Sequence, residues 1–135
     1  MRFLHKKIIF IFAIFLSQFI SSDLSKLNVP EGFEISVFNA EITNPRQMVE
    51  GDDYIFVGSR SAGNVYAIKK DNSTKSLLLL EGLNSPSGVA LHEGNLYIAE
   101  IDKILVIKNI EQRMQLGTGV VAEIFFDDLP RKGMW

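Results

Sequence analysis

Arg60 stands just past the apolar run at residues 54–58, with Ser59 between, and a guanidinium at such a strand end can hold an anionic cofactor or substrate group by a forked hydrogen bond. A solvent-facing hairpin end, or an ion pair with Glu100, is the plainer use of the same residue. Arg46 and Gln47 behind Pro45, and Asn84 ahead of Ser85-Pro86, offer further polar groups of this kind. Glu41, Ser59, Ser61, Glu81, Glu100 and Asp102 stand at similar places beside apolar runs. No catalytic residue emerges from the set. His5 lies near the start, and His92 lies in a Leu91-His92-Glu93-Gly94 turn away from the other candidates, so neither is placed as a general base. Asp52-Asp53 and Asp127-Asp128 carry the oxygens that calcium uses, but acidic pairs in turns are more often turn formers, and no metal ligand is assigned. With no cysteine among the 135 residues, disulfides and thiolate chemistry are excluded. There is no phosphate-binding glycine loop, GxSxG elbow or HExxH.

The elements that must position these side chains are strands, and they repeat. Pro45-Arg46-Gln47-Met48-Val49, Tyr54-Ile55-Phe56-Val57-Gly58 and Val65-Tyr66-Ala67-Ile68 match Pro86-Ser87-Gly88-Val89-Ala90, Leu96-Tyr97-Ile98-Ala99-Glu100 and Ile104-Leu105-Val106-Ile107, with an offset of 41 residues at the prolines. Each copy holds four short runs rich in Val, Ile, Leu, Tyr and Phe, divided by Gly, Asp, Asn and Ser, which predicts successive antiparallel strands. The expected strands are 46–50, 54–58, 64–69 and 75–80 in the first copy, then 87–91, 95–100, 103–108 and 119–126 in the second. A turn is expected through residues 111–117, and no helical periodicity stands out.

Four strands every forty-odd residues point to the blades of a β-propeller within an all-β fold. Residues 33–44 read as the fourth strand of a closing blade, 45–85 as a first blade, 86–129 as a second and 130–135 as the start of a third, so that the chain reads as the leading part of a longer propeller. A small complete β-domain with chance internal similarity is the alternative. In the propeller reading, second-strand exits and fourth-to-first connectors share one face, where Arg46, Gln47, Arg60 and Asn84 can converge on a central channel.

Arg2, Lys6 and Lys7 precede an apolar stretch at residues 8–20 and the small pair Ser21-Ser22, the pattern of an export signal over residues 1–22. The stretch is shorter than the roughly 20 residues a membrane anchor needs, and Ser17 and Gln18 interrupt it. Without that segment, eleven Lys and Arg face sixteen Asp and Glu, a charge of −5 that disfavours nucleic acid as a partner. The expected destination is the periplasm or the exterior, with the membrane met only through the signal. Asn72-Ser73-Thr74 is a glycosylation triplet of a kind that arises often by chance.

Asn44-Pro45-Arg46-Gln47-Met48, the run from Phe56 through Gly58-Ser59-Arg60-Ser61-Ala62-Gly63-Asn64 to Ala67, Ser85-Pro86-Ser87-Gly88-Val89-Ala90 and Asn95-Leu96-Tyr97-Ile98-Ala99-Glu100-Ile101 together resemble the opening blades of the glucose/sorbosone dehydrogenases. The resemblance implies a six-bladed propeller that uses pyrroloquinoline quinone (PQQ), usually with Ca²⁺, to oxidise a sugar and pass electrons to an acceptor. It also implies a channel-facing histidine base just past Trp135, with Arg and Lys side chains gripping the cofactor carboxylates. On that basis Arg60 and Asn84, and more distantly Arg46 and Gln47, take a supporting cofactor role, while the base, most quinone contacts and the calcium ligands fall outside these residues. A non-catalytic propeller binding module and a calcium-dependent lactonase-like propeller are the alternatives, since fold does not fix function.

Overall fold

The computed structural model describes residues 24–71 and 75–130. The expected export signal at 1–22 and the Asn72-Ser73-Thr74 triplet lie outside the described residues. The chain divides into two units, residues 1–36 and 37–135. Of the first, the described part holds a single 3-10 turn, Leu24–Lys26.

The second unit is built from two four-stranded antiparallel sheets in simple meander order. The first contains β1 (Pro45–Glu50), β2 (Tyr54–Ser59), β3 (Val65–Lys69) and β4 (Ser76–Leu80). The second contains β5 (Gly88–His92), β6 (Asn95–Ala99), β7 (Ile104–Ile107) and β8 (Glu123–Phe126). Short β-rich runs between turn residues thus become strands, because each finds its ladder in the next run along the chain. The expected all-β class holds.

Residues 33–38, expected as a strand whose partners lie in sequence beyond these residues, enter neither described sheet, and Phe33 is 75% exposed. Two expectations are corrected. Residues 110–116 form a helix, α1 (Ile110–Leu116), rather than a turn. Asn109 precedes it, Glu111 lies in its first turn and Gly117 closes it at φ 63°, while Ile110 anchors it with no exposed surface. The helix uses residues expected at the start of the last strand, so β8 begins at Glu123 instead of 119.

The sequence repeat is also a repeat of backbone detail. Asn44 and Ser85, each the residue before its proline, have φ of 51° and 55°. Arg60 N–H donates to the Asn44 carbonyl at 3.2 Å, as Ile101 N–H does to Asn84 at 3.2 Å. Leu83 N–H donates to the Gly63 carbonyl (2.9 Å) and Leu129 N–H to Asp102 (3.3 Å), so each chain exit from a fourth strand is tied to the β2–β3 or β6–β7 turn of its own sheet.

The sheets share one core. Phe56, Val65 and Ala67 of the first meet Val89, Leu96, Ile98, Leu105 and Ile107 of the second, with Tyr54 and Ile110 closing the cluster. Alternation in β2 sends Phe56 and Gly58 to this face and Val57 to the other, where it joins Tyr66 and Ile68 under Ile42. Gly58 permits the sheets to meet: a Cβ there would lie 2.6 Å from the Pro86 carbonyl oxygen and 3.3 Å from Val89 Cγ1. Because the obstacle is backbone, Gly58→Ala is expected to push the sheets apart at a cost of about 1–3 kcal/mol, read as a lowered urea midpoint with the denaturant slope unchanged.

Candidate functional site

The turn between β2 and β3 is rigid because Ser59 is fully buried there. Its hydroxyl donates to the Asn64 carbonyl at 2.7 Å and accepts the Asn64 N–H at 2.8 Å. Beside it, the Asn44 side-chain amide donates to the Ser61 hydroxyl at 2.7 Å. These bonds fix the backbone that carries Arg60 against the chain entering β1.

Arg46 occupies a break in the ladder: Pro45 pairs with Ser59 and Gln47 with Gly58, leaving Arg46 as an extra residue on its strand. A bulge of this kind re-aims a side chain, and bulges recur beside binding sites. Arg46, Gln47 and Arg60 then line one cleft of about 420 Å³, completed by Ser87 and Gly88 from the chain entering the second sheet. The cleft thus brings two guanidiniums, from Arg46 and Arg60, to one place.

Asn84 is not brought into this cleft. Its backbone N–H donates to Glu100 Oε1 and its carbonyl accepts from Ile101, which places it at the next turn along. Glu100, 6% exposed and considered above as a partner for Arg60, pairs with Lys103 at 3.2 Å, three residues on. Glu41 also departs from expectation, because its carboxylate accepts the Ser76 N–H at 2.9 Å at the start of β4.

A larger cleft of about 600 Å³ lies among the hairpin turns, lined by Glu50, Asp52, Lys70, His92, Glu93 and Glu111 among others. Its charges are largely consumed internally. Lys70 Nζ lies 2.6 Å from Glu50, which holds that carboxyl below its ordinary value and raises the ammonium. Outside this cleft's lining, Lys108 Nζ lies 2.8 Å from Glu123 and holds that carboxyl below its ordinary value. Glu111 went unnoticed as a candidate: its oxygens accept the N–H groups of Asp52 (3.1 Å), Asp53 (3.0 Å) and Tyr54 (3.0 Å). The signal that could have found it is its place in the first turn after Asn109, ahead of Gly117. Among the described residues no group of three or more His, Cys, Asp or Glu side chains could hold a metal ion, and no helix is long and apolar enough to cross a membrane.

The molecule is therefore, by class, a mostly β protein of two repeated antiparallel sheets with a cationic cleft at one end. A comparison with curated proteins finds a similar chain in Borreliella burgdorferi (strain B31), described as an uncharacterized protein, 34% identical over 92 residues. The match takes in 67% of this chain and 24% of that protein, so the chain spans about a quarter of its relative's length. No protein-family model matches the chain, and no solved structure matches it.

Proposed function

We propose that the two sheets are consecutive blades of an exported six-bladed β-propeller of the sugar-dehydrogenase kind, and that the cleft of Arg46, Gln47 and Arg60 grips a carboxylate of its quinone cofactor, PQQ. The observation that carries this reading is the meeting of a bulge-displaced arginine and a turn arginine in one cleft. A guanidinium matches a carboxylate in two parallel hydrogen bonds, and Gln47 adds a neutral donor. The repeat supports the architecture: two meander sheets of four strands, offset by 41 residues, with matching left-handed residues before both prolines.

When bound, the quinone supplies the redox chemistry, accepting hydride from a sugar carbon. This chain's residues hold and orient its anionic rim; the base, the remaining blades and the calcium ligands belong to sequence beyond these residues, and no calcium ligand is assigned here. The pattern of Arg2, Lys6, Lys7 and residues 8–20 supports export to the periplasm, where sugar substrate and electron acceptor meet the enzyme.

Equilibrium dialysis of PQQ against the chain tests the cofactor reading. Saturable binding is expected, and Arg60→Ala should weaken it by about 10- to 100-fold, the loss of a charge-assisted guanidinium–carboxylate contact. Arg46→Ala should weaken it similarly. Binding that is absent, or that ignores both substitutions, overturns the proposal.

A further inference from the structure

Three successive residues at the end of β2 meet the chain that enters β1. Ser59 pairs with Pro45 across the ladder, the Arg60 N–H donates to the Asn44 carbonyl at 3.2 Å, and the Ser61 hydroxyl accepts from the Asn44 side-chain amide at 2.7 Å. Asn44 thus holds the turn by its backbone and its side chain together. Pro45 follows it and leads into Arg46, the residue that the bulge sets aside, so Asn44 and Pro45 link both arginines of the cleft.

Asn44 does this in an unfavourable conformation. Its φ of 51° lies in the left-handed region, where a side chain crowds the backbone, whereas a residue before proline ordinarily stays extended. Glycine takes such a φ without steric cost, and asparagine is among the few other residues that tolerate it. What asparagine has and glycine lacks is the amide that reaches Ser61.

The second copy of the repeat does the same job from the opposite side. There the carboxylate of Glu100, at the end of β6, accepts the Asn84 N–H, and the Ile101 N–H donates to the Asn84 carbonyl. The strand end reaches back to the connector. In the first copy the strand end is Ser59, whose hydroxyl is engaged with Asn64, and the connector reaches out to the turn instead. The residue whose N–H is held is Ile101 in one copy and Arg60 in the other, so only the Asn44 arrangement serves a cation in the cleft.

We infer that Asn44 is the positioning residue of the arginine cleft: its side-chain bond to Ser61 sets where the Arg60 guanidinium stands relative to Arg46. The inference rests on the reading above for its ligand, PQQ, and its test includes a measurement that needs no ligand.

Asn44→Gly separates holding the fold from aiming the arginine, because glycine accepts the backbone conformation while the bond to Ser61 is lost. In the full chain its urea midpoint should stay near the native one while PQQ affinity, by equilibrium dialysis, falls about three- to tenfold. Ser61→Ala should lower the affinity by the same factor and the double variant no further, since all three remove one bond. The ligand-free measurement is trypsin cleavage of the Arg60–Ser61 bond in the folded chain, followed by mass spectrometry. It should run about three- to tenfold faster in Asn44→Gly as the turn opens locally, with cleavage after Lys103 unchanged. It should return to the native rate in Asn44→Asp, whose carboxylate can accept from the Ser61 hydroxyl at the same φ. Native-rate cleavage after Arg60 in Asn44→Gly overturns the inference whatever the affinity does, and so does acceleration at both sites, the mark of general destabilisation. Faster cleavage after Arg60 alone with undiminished PQQ binding also overturns it, by making Asn44 a pin of the turn only. If the native chain binds no PQQ, the cofactor reading falls by itself, and the cleavage rates still decide whether Asn44 fixes Arg60.

Discussion

Phe56→Ala is expected to cost about 3–5 kcal/mol of folding stability, a large part of the roughly 5–15 kcal/mol that a domain possesses. Phe56 has no exposed surface and belongs to the cluster that both sheets build, beside Tyr54 at a ring separation of 6.2 Å and facing Leu96 and Ile98 across the interface. Truncation removes the apolar area and leaves a cavity walled by two sheets whose strands are already paired, so the walls cannot close on it without breaking ladder hydrogen bonds. Phe56→Leu keeps most of the volume and should lose only about 1 kcal/mol. Urea unfolding followed by far-ultraviolet circular dichroism measures both. A loss below about 1 kcal/mol for the alanine variant would mean that the sheets are stabilised separately and that their common core contributes little.

The strands were legible because their apolar residues alternate and their boundaries are glycines and short polar residues. β2 was expected at 54–58 and is Tyr54–Ser59; β6 was expected at 95–100 and is Asn95–Ala99. The repeat carried the topology, since matched runs must make matched neighbours. What escaped was the helix. In α1, Ile110 and Met114 show the i, i+4 spacing of a helix, but seven residues are too few for that period to stand out between two strands.

The candidate site was half legible. Arg46, Gln47 and Arg60 were selected as polar groups at strand ends, and they do share a cleft. That Arg46 stands in a bulge is a matter of register between β1 and β2, which the chain does not display residue by residue. Asn84 was placed by the same reasoning and went elsewhere, because the buried Glu100 claims its N–H. Ser59 and Glu100 occupy equivalent ends of β2 and β6 and are the two buried polar residues among those described, so one repeat position does the same work with different chemistry: it pins the turn beside it.

Glu111→Ala is expected to be the most damaging change outside the apolar core, costing about 2–4 kcal/mol, since it removes an ionised acceptor from three backbone N–H groups at once. The helix that carries Glu111 is tied to the second sheet by Asn109 N–H to Asn95 (3.0 Å) and Ile110 N–H to Gly94 (3.0 Å), while its carboxylate holds the β1–β2 turn of the first. Gln115 reinforces this by donating to Asp53 at 2.7 Å. The bond therefore clasps the two sheets at the end opposite the arginine cleft, and its loss should let them part there. Gly51 leaves the room for it: a Cβ on Gly51 would sit 2.9 Å from Glu111 Cδ. Gly51→Ala should then cost about 1–2 kcal/mol in the native background and almost nothing beside Glu111→Ala, a coupling that a double-mutant cycle isolates. Costs that simply add would place the strain of Gly51→Ala in the turn itself, and the clasp would carry much less of the stability than its geometry implies.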